Sequence, residues 1–165
     1  FNANLEGWVS AEALDECLQV IITLNKVAAE TAVGFDVHAA TDITGFGLAG
    51  HAQEMAQGSG VALEIRAAEV PTMREALAMY QKGVSTGVNG ENRALIEETT
   101  KFASSLPAWH RELFVDPQTS GGLLLAVPAD QGGELVAALQ ANGVGAACLI
   151  GAVRPLEDDT YLSFI

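Results

Sequence analysis

The stretch HAATDITGFGLAGHA, from His38 to Ala52, changes its period half-way along. Its first part alternates as a strand does, and from Phe46 the apolar residues recur at helical spacing. One carboxylate, Asp42, sits at the changeover in a nearly uncharged run, followed by Thr44 and by Phe46 between Gly45 and Gly47. A surface loop does not need that glycine pair, and a core strand does not want Asp42. Two readings fit. Asp and Thr are common helix caps, so Asp42 can be a cap. Amides at a helix start also attract anions, and an acid placed there can hold a metal ion against a phosphate. The glycines favour close backbone approach, which a plain cap does not require.

Upstream, Ser10 is a good N-cap for AEALDECLQVIITLNKVAAETA, where Leu14, Leu18, Ile21 and Ile22 predict one long helix ending before Gly34. FDVHAAT reads as a strand with Phe35, Val37 and Ala39 on one face. Downstream, the helix from Phe46 to Ala56 stops at Gly58 or Gly60, and VALEIRA is a second alternating strand. Pro71 opens a helix over TMREALAMYQKG, and VSTGVNGEN is a turn-rich loop. RALIEETTKFASSL predicts a helix closed by Pro107. LLLAV, Leu123 to Val127, has the continuous apolar run of a central buried strand. A helix over ADQGGELVAALQANG follows, then strands AACLIGAVR and YLSFI paired around PLEDDT. Helices and strands mix without strict alternation, so the expected class is α+β, with helices packed against a mixed sheet.

The chain has 165 residues, a length that fits one domain. With 49% hydrophobic residues and a mean hydropathy of +0.24 it can bury a core, and disorder is excluded. No apolar run is long enough to span a bilayer, and nothing resembles a signal peptide, so no membrane partner is expected. The sequence opens on Phe1 rather than Met, as a fragment of a longer chain would. Net charge is −13, from 21 acids and 8 bases. Such a surface repels a nucleic-acid backbone and free ATP alike, so any bound nucleotide needs a divalent cation between like charges. Cys17 and Cys148 are far apart in apolar periodic segments, which predicts free buried thiols and fits a reducing cytoplasm.

Other segments leave alternatives open. DPQTSGG, Asp116 to Gly122, is either a phosphate cradle or a tight entry turn to the next strand. In STGVNGENR, Arg93 either meets a phosphate or is solvated at a helix start, and the spacing matches neither a phosphate loop nor a dinucleotide fingerprint. His38 and Asp42 would stand roughly 13 Å apart along a strand, so they do not share an ion, and the histidines read as structural. No Cys–His cluster has zinc spacing, and Cys17 is mid-helix, a poor place for a nucleophile.

ATDITGFGLAGHAQEMAQGSGV followed by DPQTSGGLLLAV resembles selenophosphate synthetase (selenide, water dikinase), specifically its C-terminal domain, over essentially the whole chain. Relatives in the wider superfamily, among them aminoimidazole ribonucleotide synthetase, carry a similar glycine-bearing turn but neither this wording nor DPQTSGG. The resemblance implies a fold like the C-terminal domain of aminoimidazole ribonucleotide synthetase, with residues 1–165 as one domain of a two-domain cytoplasmic enzyme. The implied reaction turns ATP, selenide and water into selenophosphate, phosphate and AMP, with several Mg2+ ions. The resemblance also implies a homodimer formed through the N-terminal domains. In that family the acid of the turn joins aspartates of the N-terminal domain in holding magnesium, which assigns Asp42 as a metal ligand. Thr44 is the candidate nucleotide contact, with orientation of Asp42 or helix capping as alternatives. The reactive cysteine or selenocysteine and the catalytic lysine belong to the N-terminal part. Cys17 and Lys26 do not match them, so this chain has no catalytic residue of its own and is expected to be inactive alone. The alternative is a non-catalytic binding or interaction domain of the same superfamily.

Overall fold

The computed structural model describes residues 2–165. In chain order the elements are α1 (Asn2–Leu5), α2 (Ala11–Ile22), α3 (Lys26–Ala32), β1 (Ala39–Asp42), α4 (Gly47–Ser59) and β2 (Val61–Ile65). A 3-10 turn (Ala67–Glu69), α5 (Ala76–Gln81), α6 (Asn89–Ile96), β3 (Thr100–Phe102) and α7 (Ala108–Phe114) follow. The chain finishes with β4 (Leu123–Ala126), α8 (Gly132–Ala141), β5 (Gly151–Pro155) and β6 (Leu162–Phe164). The α+β expectation holds. One sheet is mixed and runs β3-β6-β2-β5, with β6 parallel to both neighbours and β5 antiparallel to β2. The other is the antiparallel pair β1–β4.

Two apolar clusters hold these layers. Helix α4 lays Ala49, Ala52 and Ala56 against the four-stranded sheet, all fully buried, and Leu162, Phe164, Phe114 and Ile96 close over them. Small side chains at that spacing let the helix axis approach the sheet closely. Phe114 stacks on Phe164 at 4.3 Å between centroids. On the other side, α3 and α8 bring Ala28, Ala32, Leu135 and Leu139 onto Leu123 and Leu125. Leu124 points the opposite way, into the first cluster. The run LLLAV is therefore continuously apolar because both its faces are packed. Its four strand residues are nevertheless only half-buried, in a two-stranded sheet rather than at the centre of a larger one.

Several expectations need correcting. The long helix over 11–32 is two helices, broken at Thr23–Asn25. Thr23 is extended at φ −78°, ψ 122° and donates its hydroxyl to Gln19 O, while the Asn25 amide reaches Gly121 O at 3.0 Å. A run of four β-branched residues, Val20, Ile21, Ile22 and Thr23, weakens the helix there. The tertiary bond of Asn25 fixes the break. The helix after Pro71 starts only at Ala76, because Glu75 is left-handed at φ 64° and its carboxylate is bound to Ser10. The loop VSTGVNGEN already enters α6 at Asn89, and the helix predicted over 93–106 stops at Ile96. Beyond it Thr100–Phe102 pairs with β6, where Phe102 stacks on Phe164 at 5.0 Å. β5 and β6 do not pair with each other, since β2 lies between them. β1 and β5 are shorter than their apolar patterns, and α7 was not expected at all. Both cysteines are free, but Cys17 is half-buried and Cys148 exposed. Among the described residues no helix is long and apolar enough to cross a membrane.

Candidate functional site

The turn carrying Asp42 is built by two loops that pair with each other. Asp42 ends β1 opposite Leu123. The next amide, of Ile43, donates to Gly122 O at 3.0 Å, and Gly121 N returns a bond to Ile43 O at 2.8 Å. Gln118 N donates to Thr44 O at 3.0 Å. The Asn92 side-chain amide, only 3% exposed, donates to Gly45 O and to Val115 O, both at 2.9 Å. The DPQTSGG loop is thus a clamp on the TDITGFG turn, and a buried asparagine of α6 bolts the two together.

The glycines explain themselves by contact. Gly47 has φ 69°, and a Cβ there would stand 2.8 Å from Phe114 O and from Val115 C. At Gly121 a Cβ would fall 2.6 Å from Ile43 O. Both serve loop against loop. Gly45 differs, because a Cβ there meets nothing within 4 Å. Of the two glycines flanking Phe46, only Gly45 faces open space.

Asp42 is exposed and Ile43 beneath it is buried. The N-cap of α4 is Phe46, with no side-chain cap bond, so Asp42 does not cap the helix. Thr44 does not cap it either, nor does it touch Asp42. Its hydroxyl lies 3.0 Å from His51 Nε2, and His51 Nδ1 lies 3.1 Å from Glu54 Oε2. The Glu54 carboxylate only accepts, which places a proton on Nδ1; in the neutral ring Nε2 then accepts from the Thr44 hydroxyl. His51 is 8% exposed and is held between Thr44 and Glu54. His38 pairs with Asp36 at 3.2 Å on the surface.

Behind the clamp lies a polar network. Tyr80 donates its hydroxyl to Asp116, whose other oxygen accepts from Gln118 Nε2 at 2.6 Å. Asn89 donates to Glu112 O at 3.2 Å and accepts from the Thr86 hydroxyl at 2.6 Å. Glu112 also pairs with Arg93, whose side chain is otherwise more than half exposed. Burial pushes the Asp116 carboxyl above its usual range, against the pull of Tyr80 and Gln118. Burial, and then the nearby carboxylate of Asp116, push the Tyr80 hydroxyl up as well. The sequence offered the loop but no hint of this network, whose partners lie 36 residues apart in the chain.

Among the described residues no three His, Cys, Asp or Glu side chains gather where they could hold a metal ion. Asp42 therefore belongs to no such cluster and offers one carboxylate. That fits Mg2+ in one respect: the ion takes oxygen donors, keeps several waters and commonly uses one or two carboxylates with phosphate oxygens.

Residues 4–160 match the model of the family described as AIR synthase related protein, C-terminal domain. The chain belongs to that family. It is 38% identical over 160 residues to a selenide, water dikinase of Clostridioides difficile, covering 97% of this chain and 46% of the relative. The selenide, water dikinase of Desulfitobacterium hafniense is 42% identical over 148 residues, covering 90% of this chain and 43% of the relative. That of Paraburkholderia xenovorans is 41% identical over 128 residues, covering 78% and 36%. The chain spans less than half the length of these relatives and matches their C-terminal part. For this member of the AIR synthase related family, the two-loop resemblance thus extends over most of the sequence.

Proposed function

We propose that this chain is the C-terminal domain of a cytoplasmic selenophosphate synthetase, and that Asp42 is its contribution to a magnesium–ATP cleft completed by an N-terminal domain. The observation that carries the reading is the contrast within one turn. Every described backbone contact of the turn is locked, yet the Asp42 carboxylate is exposed, caps nothing and has no hydrogen-bond partner among the described residues. A lone acid on a rigid turn is useful if its partners arrive from another domain. Gly45 supports this, since its open side lets a ligand approach the backbone.

Bound magnesium would neutralise phosphate oxygens beside an acidic protein and stabilise charge developing in phosphoryl transfer. The residues of this chain do the positioning. Asp42 presents one oxygen ligand, the clamp fixes its direction, and Thr44 is turned inward by His51. The phosphate contact expected of Thr44 would require its hydroxyl to exchange that partner, so Asp42 is the stronger assignment. ATP and selenide as substrates, and a homodimer formed through the absent half, follow from the same reading. The isolated chain would be inactive.

Phosphorus NMR of the full-length protein implied by this reading, with ATP, magnesium and selenide, is the test. Native protein should make selenophosphate and AMP. Asp42→Asn should slow turnover by about a hundredfold or more, as loss of a metal ligand does. Its melting temperature should stay unchanged, because the carboxylate carries no fold contact. Near-native turnover in the variant, or clear turnover by the isolated chain, would overturn the proposal.

A further inference from the structure

Helix α2 rests on the molecule by its ends. Only Ala13 of its residues is buried, and none belongs to either apolar cluster. Polar straps hold it instead. Ser10 bonds through N and Oγ to the Glu75 carboxylate, at 3.1 and 2.7 Å. Glu16 takes the Arg74 amide at 2.9 Å and its guanidinium at 3.3 Å, and Asn25 beyond the helix end is tied to Gly121.

Under α2 lies a half-open cavity of about 400 Å3. Leu14, Cys17 and Ile21, at helical spacing on one face, form its roof. Ile43 and Leu48 lie opposite, and Asp116 stands in the wall. The volume is in the range of small-molecule sites, roughly 300–1,000 Å3, and it separates the apolar helix face from the side chains opposite. The charge is as particular as the shape. Arg74, the other charged residue of the lining, is already paired with Glu16. Asp116 accepts from Tyr80 and Gln118, but a carboxylate has about four acceptor positions. Among the described residues no side-chain cation pairs with it. Burial, the largest influence on this carboxyl, disfavours its charged form.

We infer that the cavity under α2 binds a small apolar molecule bearing one protonated amine, with its body beneath Leu14, Cys17 and Ile21 and its ammonium on Asp116. Charge complementarity selects the head group: the chain carries −13 overall, and Asp116, the one acid of the lining, has no side-chain cation paired with it among the described residues. The inference is independent of the role of Asp42.

Cys17 is the reporter and exposed Cys148 the internal reference. The full-length protein is alkylated with iodoacetamide and each cysteine followed by peptide-resolved mass spectrometry, with octylamine, octanol or octanoate present. Saturating octylamine should slow Cys17 about tenfold and leave Cys148 unchanged. Octanol should need about tenfold more to do the same, the difference expected of a charge-assisted hydrogen bond, and octanoate should not protect. Asp116→Asn should make octylamine no better than octanol. Should that variant fail to fold, Leu14→Trp decides, because filling the roof should remove protection by both probes. The inference fails if no probe protects Cys17, if octanoate protects as well as octylamine, or if Leu14→Trp leaves protection intact. It fails equally if Cys17 is inert without any probe, since another part of the protein then fills the cavity.

Discussion

A methyl group at Gly47 has nowhere to go. The left-handed backbone disfavours it, and the backbone of Phe114 and Val115 stands 2.8 Å from where it would sit. Backbone cannot rotate aside as a flexible side chain can. Gly47→Ala should therefore cost about 2–4 kcal/mol, summing the conformational penalty and the overpacking, read as a lower urea midpoint with unchanged slope. Gly45→Ala is its counterpart. Gly45 is not among the positive-φ glycines and its Cβ direction is open, so the substitution should leave stability within about 1 kcal/mol. If a ligand approaches this backbone, Gly45→Ala should still lower turnover of the full-length protein. Unchanged turnover would show that Gly45 has no such task. At this scale the sequence was unusually legible: an acid and two glycines at a change of period are hard to explain by packing alone. What could not be read was that the two glycines do different things, because Gly47 is defined by residues 67 positions later, from Phe114 to Asp116. The partner of Thr44, His51, was equally hidden, since nothing in the spacing says that two side chains on either side of a helix start will meet.

At the scale of elements, period predicted what is held by its own pattern. α4, α8 and β2 lie where their apolar residues recur, and Gly60 ends α4 in the left-handed conformation. Elements fixed by distant partners were misread. Local preference made 93–106 one helix, and the stacking of Phe102 on Phe164 made its second half a strand. The sequence likewise gave no sign that α2 and α3 separate at a residue bonded to Gly121. Asn92 joins α6 both to the turn, at Gly45, and to Val115 at the entry of the second loop. Asn92→Ala should remove two donors at once and strand the carbonyls of Gly45 and Val115, costing about 2–4 kcal/mol. Asn92→Asp keeps the shape but cannot donate from its carboxylate, so it should be no better. Rescue by Asp in chemical denaturation would mean that the side chain merely fills space.

For the whole molecule, the network behind the clamp and a separate carboxylate, Asp158, shape how stability depends on pH. Asp158 is held down at about 2 by Thr160 and Lys101. Its contribution is complete above the ordinary 3.8 and is lost as pH falls toward 2. Asp116 works in the opposite sense. Its carboxyl is raised, chiefly by burial, so between 3.8 and its folded value the folded state holds more proton and stability declines as pH rises. Tyr80 extends that trend at the alkaline end. Burial and Asp116 hold its proton well beyond the ordinary value of 10. Above pH 10 the unfolded chain releases this proton while the folded chain keeps it, so stability should fall with rising pH, and below pH 10 the group adds no slope. Tyr80→Phe separates the two effects of one hydroxyl. Near pH 7 it should cost about 1–3 kcal/mol, because Asp116 loses a donor in a buried place. Above pH 10 its alkaline decline should be shallower than that of the native chain, since the titrating group is gone. Urea unfolding of both proteins across pH 7 to 11 reads both effects, and an equally steep decline in the variant would assign the alkaline loss to groups outside the clamp.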